Sequence, residues 1–297
     1  MIPLIELDAW INQQQKHFED IFSYQLPHND IRPSKLHSAI RYATLDGGKR
    51  IRPSLIFATG EDLCIHNVEL LNQLAVVIES IHAYSLIHDD LPSMDNDDLR
   101  RGKPSCHIAF NEGEAILAGD SLQAWAFGRL AKLDIDSDSI VQLITVLSDA
   151  IGPEGMAQGQ ALDLAYEEEP SIDIEQLSQL HWRKTGMLIQ ACILMPAIAT
   201  QQTSLIEAFK AFGHHLGLAF QIQDDILDVT ASSDQLGKPA NSDLEQNKKT
   251  FPSILGLEEA IKHRDHQLKL ALSVLMPVKL HKGYLASLAY HCIHREN

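Results

Sequence analysis

The 297-residue sequence predicts an all-α protein, on three observations. Apolar residues recur with the helical period along nearly the whole chain, and no alternating pattern reaches strand length. The breaks between these segments are short and rich in Gly, Pro, Asp and Ser. The composition is that of a globular chain, 45% hydrophobic and 22% charged. Leu70, Leu74, Val77, Ile78 and Ile81 mark one helix face, and Ile140, Leu143, Ile144 and Leu147 mark another. A third, strongly apolar segment carries Leu216, Ala219, Phe220, Ile222, Ile226 and Leu227. The breaks fall at Asp46-Gly47-Gly48, Ser93 to Gly102, Ile151-Gly152-Pro153, Glu167 to Ser171 and Ser232 to Asn247. None is a long linker, no composition shift marks a boundary, and there is no repeat. The expectation is one domain over residues 1–297 with roughly ten helices. The Glu167-Glu168-Glu169 run before Pro170 reads as a solvated loop.

The chain carries 24 Lys+Arg against 40 Asp+Glu, a formal charge of −16. There is no basic excess to displace counterions, so nucleic acid is excluded as a partner. A phosphorylated small molecule remains open, provided metal ions or a local basic cluster sit between. The longest near-apolar run, Met187 to Ala199, is interrupted by Gln190 and falls short of the about 20 residues that a membrane span needs. It reads as a buried helix, and no membrane span is expected. No basic leader precedes an apolar stretch at the N-terminus. Cys64, Cys106, Cys192 and Cys292 are widely spaced, as reduced thiols of a cytoplasmic protein would be.

Two acidic clusters stand out because each follows an apolar helical run. Gln221, Asp224, Asp225 and Asp228 form one stripe of a helix whose other positions are apolar. Three like charges on one stripe repel and are costly to bury unless cations neutralise them. Hard oxygen ligands without His or Cys suit Mg²⁺. In the other cluster Asp89 and Asp90 end a helix that Pro92 should stop, so Asp95 must fold back to share an ion with Asp89. A solvated acidic face or a helix cap is the competing reading of either cluster.

Basic residues lie close by in sequence. Gly47-Gly48-Lys49-Arg50-Ile51-Arg52-Pro53 combines cations with two glycines that let backbone approach a ligand. Arg100-Arg101-Gly102-Lys103 follows the first acidic loop, Lys184-Thr185-Gly186 interrupts a helix, and Lys238 and Lys248 bracket the loop after the second cluster. Arginine forks match phosphate oxygens, and the pattern suggests acid, metal, phosphate and base in series. Arg50 and Lys103 read instead as ordinary surface ion pairing. His82 lies seven residues before Asp89 and shares its helix face, either as a packing residue or as a phosphate contact.

These stretches resemble the trans-isoprenyl diphosphate synthases, and most closely the bacterial farnesyl diphosphate synthases. The resemblance runs through Gly47 to Pro53, His82 to Gly102, Ile116-Leu117-Ala118-Gly119-Asp120, Gly159-Gln160-Ala161-Leu162-Asp163-Leu164, Lys184-Thr185-Gly186, Gly217 to Asp228, Gly237-Lys238 and Lys248-Lys249-Thr250. It implies an isoprenoid synthase-type helical bundle around a central deep cavity, usually a homodimer. It implies that Asp89, Asp90, Asp95, Asp224, Asp225 and Asp228 hold Mg²⁺, three ions per site, on the diphosphate of an allylic substrate. Arg100, Lys184 and Lys238, with Lys248 nearby, would add charge at that group. Lys49, Arg52, His82 and Arg101 would bind isopentenyl diphosphate. Thr185 and Gln221 would face the allylic cation formed from dimethylallyl or geranyl diphosphate, and farnesyl diphosphate would be the product. Tyr84 lies five residues before Asp89, about 7.5 Å along the helix, where an aromatic ring would floor the cavity.

The sequence departs from the family pattern at Gln158, Asn241 and Asn247, each where a glycine is usual. Its tail, His291-Cys292-Ile293-His294-Arg295-Glu296-Asn297, leaves C-terminal basic contacts out of the expected site. A geranyl or geranylgeranyl diphosphate synthase is the nearest competing function, and a terpene cyclase would not need the isopentenyl site. A catalytically silent partner subunit or a helical scaffold belongs to another class, and both clusters should then have decayed.

Overall fold

The structure, a computed structural model, describes residues 1–45, 47–230 and 248–295. The chain divides into two compact units, one of Met1–Leu7, Ala58–His66 and Ile135–Asn297 and the other of Asp8–Phe57 and Asn67–Asp134. Each unit is assembled from separate stretches, so a shift in composition along the chain could not mark the division.

In the smaller unit the central element is α4 (Val68–Asp89), following α2 (Ser34–Thr44) and most of α1 (Leu4–Gln25) and of α3 (Ile51–Asp62), whose remaining residues, Asp62 among them, belong to the larger unit. The Asn67 side chain accepts a hydrogen bond from the Leu70 N–H at 3.0 Å and caps the start of α4. This helix is long and apolar enough to cross a membrane by length and composition, yet 78% of its apolar stretch is buried inside the protein. It behaves as a core helix that is apolar nearly all round. A small hairpin follows, β1 (Leu99–Arg100) and β2 (Lys103–Pro104), then α5 (Cys106–Ala109) and α6 (Glu112–Leu130). Helix α6 packs along α4. The contact is close enough that a Cβ at Gly119 would lie 2.2 Å from His88 Nε2.

Arg50 corrects the sequence reading, which placed it at the surface. It is 4% exposed and at φ 47°. Its guanidinium donates to Glu19 Oε1 at 2.6 Å, to Glu79 Oε1 at 2.6 Å and to the Thr44 carbonyl at 2.7 Å. The rings of Phe18 and Phe22 lie 5.7 and 5.8 Å from it. Glu79, in the middle of α4, is itself buried, so the pair is internal and ties α1 and the end of α2 to α4.

In the larger unit, α7 (Ser137–Ile151) and α8 (Met156–Glu168) precede α9 (Ile174–His181). Helix α8 includes Glu167 and Glu168, so the acidic run completes a helix where a loop was expected, and Pro170 falls beyond it. A π-helical turn, Trp182–Gly186, joins α9 to α10 (Met187–Ala199). Lys184-Thr185-Gly186 therefore widens a helix and does not interrupt it. Helix α10 is buried from Ala191 to Ala199, as the apolar run predicts. It packs on α11 (Ile206–Thr230), which α13 (Leu257–Val274) flanks, preceded by α12 (Phe251–Leu255) and followed by α14 (Tyr284–Ile293). The start of α14 is held by Asp62, whose carboxylate accepts from the Tyr284 and Leu285 N–H groups at 2.7 and 3.0 Å. The described residues hold fourteen α-helical segments against the roughly ten expected. Pieces such as α5 and α12 are too short to show a period. All four cysteines are free, and burial, with Asp90 and Glu114 nearby, pushes the Cys106 thiol up to about 12.

Replacing Arg50 by Ala leaves the Glu79 carboxylate buried without its cation, and the expected loss is about 3–5 kcal/mol of stability in urea denaturation.

Candidate active site

The smaller unit carries the first acidic cluster at the end of α4. The helix stops at Asp89, close to where Pro92 predicts. Beyond it the chain turns back, and the Asp95 N–H donates to the Asp89 carbonyl at 2.8 Å. The return that the acidic reading needed is thus made by the backbone. Asp90 points inward and is 2% exposed. Arg100 Nε donates to its Oδ1 at 2.9 Å and Nη2 donates to the same oxygen. Burial raises the Asp90 carboxyl in spite of the Arg100 guanidinium beside it.

The hairpin aims the neighbouring cation elsewhere. Arg101 and Gly102 form its tip with φ of 54° and 74°, as in a type I′ turn. Arg101 Nη1 donates to the Gly47 carbonyl at 2.8 Å. Gly48 sits at φ 93°, and a Cβ there would lie 2.8 Å from the Arg101 guanidinium carbon. The glycine pair therefore admits an arginine of the same chain, a partner the sequence reading did not consider. Arg52 Nη1 lies 3.3 Å from His82 Nε2. Burial, then Arg52, Arg101, Arg50 and Arg100, push the His82 imidazole well below its ordinary value. His82 is neutral at pH 7, its Nε2 accepting from Arg52 and its other nitrogen able to donate. Lys49 is exposed, and its carbonyl accepts from Gln15 Nε2 at 2.7 Å. Tyr84 is buried, with its hydroxyl hydrogen-bonded to the Gln123 side chain and its ring edge-on to His88 at 5.7 Å.

The larger unit carries the second cluster on α11, and the three aspartates differ. Asp225 is 3% exposed, and its Oδ2 accepts from His181 Nε2 at 3.1 Å and from the Phe251 N–H at 2.9 Å. Asp228 is also buried. Asp224 is the outer one, its side chain 41% exposed, and it pairs with Arg295. Thr185 Oγ1 donates to Gln221 Oε1 at 2.9 Å, which joins the π-helical turn to the acidic stripe. Lys184 Nζ donates to Asp163 Oδ2 at 2.6 Å. Burial works to raise the Asp163 carboxyl, but Lys184 and then Lys248 hold it below the usual carboxylate range. A Cβ at Gly159 would come within 2.2 Å of the Lys184 backbone nitrogen, so α8 and the π-helical turn meet backbone to backbone. Lys238, Asn241 and Asn247 lie outside the described residues, and Gln158 is a half-buried residue of α8.

Sequence reasoning gave no role to Asp163, His181, Gln160 or Arg295. Asp163 and Gln160 stood inside a quoted motif, but nothing in one sequence joins Asp163 to a lysine 21 residues away. Both amide atoms of Gln160 are buried without a protein partner. Arg295 overturns the expectation that the tail makes no basic contact, because α14 delivers its guanidinium to Asp224.

Among the described residues no three His, Cys, Asp or Glu side chains form a ready-made metal cage. Mg²⁺ keeps several waters and is held by one or two carboxylates plus substrate phosphates. The donor set of carboxylate oxygens fits the same ion.

A family model for polyprenyl synthetase matches residues 33–276. The chain belongs to the polyprenyl synthetase family. It is 42% identical over 265 residues to a farnesyl diphosphate synthase of Haemophilus influenzae, covering 88% of this chain and 86% of that one. A chloroplastic geranylgeranyl pyrophosphate synthase of Capsicum annuum is 44% identical over 77% of this chain and 62% of its own. A geranyltransferase of Helicobacter pylori, solved with magnesium and isoprenyl diphosphate, aligns with a TM-score of 0.85 and 35% identity, covering 95% of this chain and 96% of that one. The fold is the isoprenoid synthase helical fold. Both acidic clusters and Asp163 fall within the matched span, whereas Arg295 lies beyond it.

The neutral His82 has a consequence for stability. The unfolded chain takes up a proton on this ring near pH 6.5, and the folded chain resists it. Stability therefore falls as pH drops below about 6.5, down to the folded value. In urea denaturation at pH 5.5 and 7.5, about one unit either side, His82→Gln is expected to flatten that part of the pH slope.

Proposed function

We propose that this polyprenyl synthetase condenses isopentenyl diphosphate head to tail with dimethylallyl diphosphate and then geranyl diphosphate, releasing farnesyl diphosphate. The observation that carries the reading is the coexistence of two carboxylate clusters with the Arg52–His82 pair, a set that fits two diphosphates. Family membership and identity to farnesyl diphosphate synthases support it. Asp89, Asp90 and Asp95 of the smaller unit and Asp224, Asp225 and Asp228 of the larger unit are assigned to three Mg²⁺ ions. The inward bonds of Asp90 and Asp225 suit them to holding the clusters in place, and the more accessible Asp224 to reaching an ion. Bound Mg²⁺ offsets the charge that develops on the departing diphosphate.

The protein groups do the remainder. Arg100, Lys184, Lys238 and Lys248 add positive charge at the allylic diphosphate as its C–O bond breaks. Asp163 keeps Lys184 in one place and charged. Lys49, Arg52, Arg101 and the neutral His82 hold isopentenyl diphosphate, His82 by donating from the nitrogen that Arg52 leaves open. The Thr185 and Gln221 oxygens face the allylic cation, and apolar walls exclude the water that would quench it. The isopentenyl double bond then forms the new C–C bond, and the proton lost passes to the released diphosphate. Tyr84, pinned by Gln123, stops chain growth at fifteen carbons. One catalytic domain over residues 1–297 belongs to the proposal, since the family match crosses both compact units, and a homodimer and a cytoplasmic location complete it.

A twenty-carbon product is the second reading, favoured by the identity to geranylgeranyl pyrophosphate synthases. One incubation separates them. Labelled isopentenyl diphosphate and dimethylallyl diphosphate, with and without Mg²⁺, are expected to give metal-dependent farnesol after dephosphorylation. No product from folded protein with Mg²⁺ present would revive the silent-subunit reading. In the same assay Tyr84→Ala is expected to lengthen the product; farnesol alone from this variant would remove Tyr84 as the floor.

A further inference from the structure

The tail of the chain is built into the second acidic cluster. Helix α14 ends at Ile293, and two residues later the Arg295 side chain is only 8% exposed. Its guanidinium donates to Asp224 Oδ1 and to the Cys292 carbonyl, the latter at 2.5 Å, and lies 4.3 Å from the centroid of the Phe220 ring. Its own carbonyl accepts from Gln223 Nε2 at 3.0 Å, and Gln223 Oε1 accepts from Arg264 Nη1 at 2.6 Å. Phe220, Gln223 and Asp224 all belong to α11, so three neighbouring residues of the acidic helix grip one arginine. This is a formed contact, and it occupies the outermost aspartate of the cluster.

We propose that Arg295 is the counter-ion that Asp224 carries before metal binds, and that magnesium must displace it. The inference rests on the assignment of Asp224 as a magnesium ligand. Without a cation the stripe of Asp224, Asp225 and Asp228 repels itself. His181 and the Phe251 N–H serve Asp225, whereas the accessible Asp224 has the arginine. A guanidinium on Oδ1 withdraws one ligand oxygen and opposes a divalent cation electrostatically, so it raises the magnesium concentration needed to fill the site. The arginine thereby acts through Asp224 as a positioning residue that sets metal affinity.

Titration calorimetry of the full-length protein with magnesium chloride alone tests this. Arg295→Gln is expected to tighten magnesium binding about fivefold, the worth of one partly exposed charge pair. Arg295→Lys is expected to restore the wild-type affinity. Unchanged or weakened affinity in Arg295→Gln overturns the proposal, weakened affinity meaning that the arginine assists the bound state. Asp224→Asn separates the two levels: if it leaves magnesium affinity unchanged, the ligand assignment itself fails. In the wild-type chain, hydrogen exchange of residues 285–295 should quicken on magnesium addition. Unchanged or slower exchange there overturns displacement whether or not the Arg295 variants fold.

Discussion

Carboxylates on apolar helices must be neutralised where they stand, and most of the site architecture follows from that constraint. Four inward acids each have a specific partner. Glu79 has Arg50, Asp90 has Arg100, Asp225 has His181 and a backbone N–H, and Asp163 has Lys184. Even the outward Asp224 has Arg295. A buried carboxylate without a partner loses its hydration and gains nothing in exchange, so either the pairing is made or the helix does not pack. The same pairings fix the rotamers of residues assigned to the chemistry, which is what a site acting by charge placement requires.

Backbone proximity is the second requirement. Lys184 and Thr185 project from a π-helical turn whose widened geometry would be hard to keep among bulky neighbours. Gly159 meets it backbone to backbone, and a Cβ at Gly217 would lie 2.6 Å from the Gly186 Cα. In the smaller unit the left-handed Gly48 lets the Arg101 guanidinium lie against the loop. Glycines in the motifs thus place cations by letting the chain approach itself. The sequence reading expected the Gly47-Gly48 pair to admit a ligand, and in the structure the pair receives an arginine of the same chain.

The His82 environment illustrates how one group is tuned by several. Burial and then four arginines keep the imidazole neutral, so it adds a hydrogen-bond donor to a basic cluster without adding charge. A lysine in its place would repel its neighbours.

The sequence by itself determined the helical class, the core helix over Met187–Ala199, the end of α4 before Pro92 and the stripe Gln221–Asp228, because period and punctuation are local properties. It also sufficed for the family, since the motifs occur in order along the chain. Only the tertiary structure decided which acid of each cluster turns inward, that Arg50 is internal, that the glycine pair receives Arg101, and that Arg295 joins Asp224. Partners separated by 10 residues at Arg100 and Asp90, by 44 at His181 and Asp225, and by 71 at Arg295 and Asp224 meet through packing. Periodicity along one helix carries no information about which side chain another helix will deliver to it.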